Sequence, residues 1–230
     1  MPHRKAPCLG AFWVGRVNCE RCSASAPAPF SVLDAAEHAR PLAQVENYRA
    51  PAGTVIVSAD DPAEAVFTIR EGFVKLWRRT DKGNHRILRL LRPGEMIGLE
   101  ALGQRRYQLS AAALSDVKLC RIPVEILDQL RRNAPELLAE LDERWLVQQT
   151  RTDELLANIA TGPAPERVLK LLRFLDKLAS PDPCPRISRL DMASMLDISS
   201  ETAARVIADL KKAGRLEERP DRLEFDPDRL

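Results

Sequence analysis

The sequence predicts an α+β chain in three successive parts. These are an N-terminal β-roll of the jelly-roll (double-stranded β-helix) kind, a long dimerisation helix, and a C-terminal winged helix-turn-helix. Three observations carry this reading. From about Tyr48 to Pro123, short β-type runs alternate with turn signals at close, regular spacing. From Pro135 to Ala160, apolar residues step by three and four along one helical face. Ile187–Phe225 reads as a helix, a tight turn, a second helix and a short hairpin. The expected divisions are a cysteine-containing segment at 1–29, the roll at 30–134, the long helix at 135–161 and the winged domain at 162–230.

A chain of 230 residues is long enough for two modest domains with their own cores. Its 45% apolar and 30% charged content are those of a soluble globular protein, and its net charge of +2 excludes no class of partner. No apolar run approaches the ~20 residues that span a membrane. Leu9–Val14, after a few basic residues, faintly resembles a signal peptide. It is too short for one, and no clean small-residue cleavage site follows. A cytoplasmic protein is expected. Of five cysteines, Cys8, Cys19 and Cys22 crowd the start of the chain. In the cytoplasm such crowding points to metal or redox chemistry more than to structural disulfides.

Residues 1–29 show no apolar period and end in Ser23-Ala-Ser-Ala-Pro-Ala-Pro29, a linker composition. The expected strands of the roll are Thr54–Val57, Val66–Ile69, Phe73–Arg78, Ile87–Leu91, Met96–Gly98, Leu109–Ala113 and Val117–Ile122. Between them lie turn signals such as Pro51-Ala-Gly53, Glu71-Gly72 and Arg92-Pro-Gly94. In the long helix, Leu138, Leu141, Trp145, Gln148, Thr152, Leu155 and Ile159 form a seven-residue repeat, the period of a two-stranded coiled coil. Gln148 and Thr152 are polar seam positions, so the dimer should be weaker than an all-leucine zipper. The same spacing also fits an amphipathic helix lying on its own β domain. Thr161-Gly-Pro-Ala-Pro165 ends the helix. Glu166–Ala179 is a further helix with Val168, Leu171, Leu172 and Leu175 on its core face.

Ser188-Arg189-Leu190-Asp191 has the form of a capping box, and Leu190, Ala193 and Leu196 recur at helical spacing. Asp197-Ile198-Ser199 breaks that helix and caps the next, which Gly214 ends. The buried stripe of the second helix is Ala203, Val206, Ile207 and Leu210. Its other face, with Ser200, Glu201, Ala204, Arg205 and Ala208, is small or polar, which a DNA major groove admits. Leu216–Phe225 is the wing. Ser199, Ser200, Glu201, Ala204, Arg205 and Lys212 are the expected DNA-contacting residues. Glu201 and Arg205, at i and i+4, could instead be an ordinary surface ion pair. Residues 186–222 hold eight Arg/Lys against seven Asp/Glu, so phosphate contacts must come from placed residues among Arg186, Lys211, Lys212, Arg215 and Arg222. Paired catalytic carboxylates, a nucleophile–base motif and a phosphate-cradling glycine loop are all missing from the sequence, so an enzyme is not expected.

A β-roll, a long helix and a winged helix in this order resemble the Crp/Fnr family of transcription regulators over roughly Phe30 to Phe225. Arg92-Pro-Gly-Glu-Met-Ile-Gly-Leu-Glu-Ala-Leu102 and Leu119-Cys-Arg-Ile-Pro-Val-Glu-Ile-Leu-Asp-Gln-Leu130 resemble its Fnr branch more than its cyclic-AMP branch. Pro-Ala-Pro-Glu-Arg167 and Ser-Glu-Thr-Ala-Ala-Arg205 resemble its entry to the DNA domain and its recognition helix. The resemblance implies a homodimer on a palindromic double-stranded DNA site, working with RNA polymerase. Cyclic-AMP binders carry an Arg-Ser pair that neutralises the cyclic phosphate. Leu109-Ser110 stands there, and leucine cannot pair with a phosphate, so cyclic nucleotide binding is not expected. Fnr-type recognition helices carry Glu-x-x-Ser-Arg; here Glu201 and Arg205 match, while Ala204 replaces the serine.

Fnr-like oxygen sensors hold a [4Fe–4S] cluster on three N-terminal cysteines and one from the roll, and this chain offers Cys8, Cys19, Cys22 and Cys120. The family places a cysteine just after its C-x2-C pair. Here Cys8 lies upstream instead, so the loop geometry must differ. In the strand Val117–Ile122, Val117 and Leu119 take the core face and Cys120 points the other way, toward whatever covers the roll. Oxygen, nitric oxide or redox poise are the signals such a cluster reads. A thiol/disulfide or zinc switch, haem, a small organic effector and no cofactor at all remain alternatives. His3, His38 and His85 are the only histidines, with His85 in the Asp81–Arg86 turn. Cys184, between two prolines, stands outside the ligand set.

Overall fold

The computed structural model describes residues 9–16, 29–33, 39–81, 83–103 and 106–226. The chain forms two compact units, Met1–Arg78 with Leu90–Gln148 and Arg79–Arg89 with Gln149–Leu230. The division falls inside the long helix rather than at its ends.

The roll consists of β1 (Trp13–Arg16), β2 (Glu46–Ala50), β3 (Val55–Val57), β4 (Ala65–Glu71), β5 (Val74–Arg79), β6 (His85–Leu91), β7 (Met96–Ile97), β8 (Ser110–Ala113) and β9 (Val117–Pro123). One sheet runs β1-β2-β9-β4-β7 and the other β3-β8-β5-β6. Each of the seven expected strands is present. Alternation along the first sheet sorts its side chains onto two faces. Tyr48, Phe67, Ile69, Val117 and Leu119 join Val74, Leu76 and Ala111 of the second sheet in an inner cluster. Val66, Met96, Cys120 and Ile122 face outward into a second cluster. There they meet Leu42 of α1 (Ala39–Leu42), Ile126, Leu127 and Leu130 of α2 (Val124–Asn133), and Leu137 and Leu141 of α3 (Pro135–Glu154). Gly98 ends the turn after β7 at φ 80°, and a Cβ there would lie 2.8 Å from the Tyr107 ring, so only glycine fits.

Several elements depart from the sequence reading, β2 among them, which lies outside the seven expected strands. β1 lies within the segment read as lacking periodicity. Trp13 and Val14 are 54% and 55% exposed, so no alternation marks the strand. It forms by antiparallel pairing on the edge of β2, with Arg16 opposite Glu46 and Gly15 opposite Asn47. α2 is a separate ten-residue helix before the long one. The long helix leaves α geometry after Glu154 for a π turn, Leu155–Ile159.

In the second unit, α4 (Ala164–Ala179) buries Val168, Leu171, Leu172 and Leu175, as expected. α5 (Arg189–Leu196) and α6 (Ser200–Lys212) follow, then β10 (Leu216–Glu218) and β11 (Leu223–Phe225), paired antiparallel. α5 buries Met192, Ala193, Met195 and Leu196, whereas Leu190 is 71% exposed.

Candidate nucleic-acid interface and thiol site

Local capping builds the helix-turn-helix. The Ser188 hydroxyl accepts the Asp191 N–H at 3.0 Å and starts α5. Asp197, at φ 55°, ends it in the left-handed conformation. The Ser199 hydroxyl then accepts the Thr202 N–H at 3.1 Å and starts α6. Ala203, Val206, Ile207 and Leu210 are buried, while Glu201, Ala204, Arg205 and Ala208 are exposed on one face. Glu201 is engaged by the Ser200 hydroxyl at 3.1 Å, and among the described residues no ion pair joins it to Arg205. Hydrogen bonds from its own backbone N–H and then from the Ser199 and Ser200 hydroxyls hold its carboxyl below the usual range, so it presents an ionised acceptor.

The cations expected at phosphates divide into two groups. Lys211 bonds Glu218 at 3.1 Å and Arg222 bonds Glu224 at 2.8 Å, so both are committed within the wing. Lys212 is exposed on α6, with no ion pair among the described residues. A contact that sequence reasoning missed steadies α5 from behind. The Ser194 hydroxyl donates to the His85 carbonyl at 2.7 Å and accepts the Ile87 N–H at 2.9 Å, completing hydrogen bonds on the outer edge of β6. Arg86 pairs with Asp197 at 3.3 Å beside it. No periodicity signals such a contact, because it joins residues more than a hundred positions apart.

Of the four candidate thiolates, Cys8, Cys19 and Cys22 lie outside the described residues, and so do His3 and His38. His85 is exposed at the start of β6. Cys120 is 8% exposed and faces the outer cluster, away from Val117 and Leu119, as its strand position required. It sits in a row across the sheet: Gly15 on β1, Asn47 on β2, Cys120 on β9, Thr68 on β4 and Met96 on β7. Its thiol donates to Asn47 Oδ1 at 3.5 Å, and the Arg70 Nη1 donates to the same oxygen at 3.3 Å. Cys184 is different: burial pushes its thiol up to about 12, so it stays protonated and makes a poor ligand.

Residues 48–134 match the family model described as a cyclic nucleotide-binding domain. The transcriptional activator protein anr of Pseudomonas aeruginosa is 29% identical over 169 residues, covering 70% of this chain and 69% of its own. The fumarate and nitrate reduction regulatory protein of Salmonella typhi is 26% identical over 170 residues, covering 71% and 68%. Among solved structures, FixK2 from Bradyrhizobium japonicum aligns with a TM-score of 0.69 at 21% identity, over 80% of this chain and 94% of that one. The chain is similar in sequence to these transcriptional regulators and shares the fold of solved CRP/FNR-family regulators.

Two features of the roll and helix bear on this likeness. Ser110, where cyclic-AMP binders would use a serine on phosphate, is buried and accepts the Ala59 N–H at 2.9 Å, while Leu109 packs on the inner cluster. The seam expected along the long helix is divided. Leu138 and Trp145 are exposed at 41% and 37%, Thr152 is half-buried, and Leu141, Gln148, Leu155 and Ile159 are buried within their own chain. Gln148 is not an exposed seam position at all, since its Nε2 donates to the Met96 carbonyl at 3.3 Å. A three-four spacing identifies a helix face but not what covers it, and here much of that face is covered by the protomer itself. No helix is long and apolar enough to cross a membrane among the described residues.

Proposed function

We propose that this chain is a DNA-binding transcription regulator of the Crp/Fnr family, in its Fnr-like branch, that senses oxygen, nitric oxide or redox poise through a [4Fe–4S] cluster on Cys8, Cys19, Cys22 and Cys120, and as a homodimer reads a palindromic promoter site with Glu201 and Arg205. The placement of Cys120 carries the sensing half. Its sulfur lies on the outer face of the sheet, two strands from β1, a separation of about 10 Å. Cys19 follows Arg16 by three residues, an extended reach of about 10 Å, so Cys19 and Cys22 can meet Cys120. Cys8 is leashed by one residue to Leu9, which is buried in the inner cluster, and its membership rests on the count of cysteines alone. Thiolates are the normal ligands of such a cluster, which when bound would supply reactivity toward oxidants. With Leu109 and an occupied Ser110 in the phosphate position, the roll takes no cyclic nucleotide.

For the reading half, the Arg205 guanidinium can donate two hydrogen bonds to guanine O6 and N7, and the ionised Glu201 can accept from a cytosine amino group. Half-sites about one helical turn apart suit a two-fold dimer, which would present the site to RNA polymerase. Iron and acid-labile sulfide analysis of anaerobically purified protein tests the sensor. The expected result is four iron per protomer, at the level [4Fe–4S] ligation requires, lost in Cys120→Ser and Cys19→Ser and kept in Cys184→Ser. Zinc in place of iron, or reversible thiol oxidation with no metal, would replace the cluster with a zinc or disulfide switch.

A further inference from the structure

Two of the three buried side-chain atoms without a hydrogen-bond partner among the described residues are Thr68 Oγ1, on the residue paired with Cys120 across the sheet, and Arg70 Nε, on the arginine that shares Asn47 Oδ1 with Cys120. Thr68 is the cross-strand partner of Cys120 and only 3% exposed. Directly opposed residues on one face place their Cβ atoms about 5 Å apart, within reach of a hydroxyl and a sulfur. Arg70 stands two residues further along β4 and already reaches the oxygen that Cys120 bonds, Asn47 Oδ1. A buried hydroxyl left unpaired is destabilising. Two such atoms beside one thiol call for an explanation.

The geometry points to Thr68 and Arg70 as positioning residues that donate hydrogen bonds to the Cys120 sulfur when that sulfur ligates iron. This rests on the cluster reading above. As a thiol, Cys120 is a donor and gives its proton to Asn47 Oδ1. As a ligand it is a thiolate, has lost that proton and needs donors instead. Asn47 Oδ1 can only accept. The Thr68 hydroxyl and the Arg70 Nε–H are the idle donors nearby, so the site's hydrogen bonding is incomplete for a thiol and complementary for a thiolate. The guanidinium also offsets the net negative charge of a thiolate-ligated cluster in a covered site. Outer donors of this kind orient the ligand and raise the potential of the iron–sulfur group.

The test compares wild type with Thr68→Val, Thr68→Ser and Arg70→Met as full-length, anaerobically purified protein. Iron content, midpoint potential, cluster lifetime in air and the melting temperature of the metal-free form are measured. Thr68→Val and Arg70→Met should bind iron as wild type does, shift to a more negative potential, and lose the cluster about tenfold faster in air. Thr68→Ser should match wild type. Metal-free Thr68→Val should melt no lower than metal-free wild type, because the hydroxyl it loses bonds nothing there. Unchanged potential and lifetime in Thr68→Val and Arg70→Met, in a wild type that does carry a cluster, would overturn this inference and leave the cluster standing. A metal-free Thr68→Val that melts lower, or does not fold, would overturn it too by showing the hydroxyl to be structural. A wild type that binds no iron removes both readings together.

Discussion

At the scale of single residues, the proposed recognition face divides its labour by charge state and freedom. Arg205 is exposed and has no ion pair among the described residues, so a base edge meets no competing partner. Arg205→Ala should cost about 1–3 kcal/mol on a selected site and little on random DNA, measured by competition binding at fixed salt. Lys212→Ala should weaken both alike and flatten the dependence on salt. Equal site affinity in Arg205→Ala would reduce Glu201 and Arg205 to surface decoration. Glu218 shows the opposite use of charge. Burial alone would raise its carboxyl, but hydrogen bonds from Arg189 at 2.7 Å and Lys211 at 3.1 Å outweigh that and leave it lowered. A carboxylate lowered on folding adds stability that is present above its unfolded value of about 4.3 and fades as pH falls through the folded value. The winged unit should therefore lose stability in acid below about pH 4, and Glu218→Gln should flatten that part of the pH profile in thermal melts.

At the scale of elements, the long helix serves its own protomer before it serves a partner. Replacing Gln148 by leucine would leave the Met96 carbonyl without its Gln148 donor in a buried place, so the protomer should lose about 1–3 kcal/mol in denaturant titrations. A tighter dimer is not expected from it. Exposed Leu138, Trp145 and Leu156 are the better candidates for the contact between copies, and Trp145→Ala should raise the dimer dissociation constant in sedimentation equilibrium. Were Gln148→Leu to tighten the dimer instead, its side chain would have to turn outward. On α5, Ser194 stands in for a missing strand along β6. Its hydroxyl should protect the Ile87 amide from hydrogen exchange, and Ser194→Ala should speed that exchange by roughly fivefold, the effect of losing one bond of about 1 kcal/mol. An amide equally protected in the variant would show that packing, not Ser194, shields it.

At the scale of the whole molecule, the two units carry different kinds of information. The first holds Cys120 on a covered sheet face. The second holds α6, capped by Ser199, whose proposed base-reading face is exposed. The long helix contributes to both. If the sensor reading holds, air exposure should abolish site-specific DNA binding by wild type in gel-shift titrations, and Cys184→Ser should respond in the same way. A wild-type protein that binds its site equally well with and without iron would detach DNA reading from the thiols.

By itself the sequence determined whatever is written in local chemistry. The turns that space the roll's strands, the Ser188 and Ser199 caps, the Ala203–Leu210 stripe and the side of β9 on which Cys120 falls all follow from short-range spacing. Each was legible because backbone geometry fixes which neighbours share a face. The resemblance to the Crp/Fnr family was legible from motifs in the same way. Tertiary structure alone decided which faces are covered and by what. β1 exists because β2 has an edge to offer, not because Trp13-Val-Gly-Arg16 alternates. Gln148 turns inward because Met96 presents a carbonyl there. Lys211 and Arg222 are drawn into the wing because their acidic partners are brought beside them. Thr68 and Arg70 stand beside Cys120 only because β4 pairs with β9 in one register. Such partners are tens of residues away in the chain, and no local period records which of them the fold will bring together.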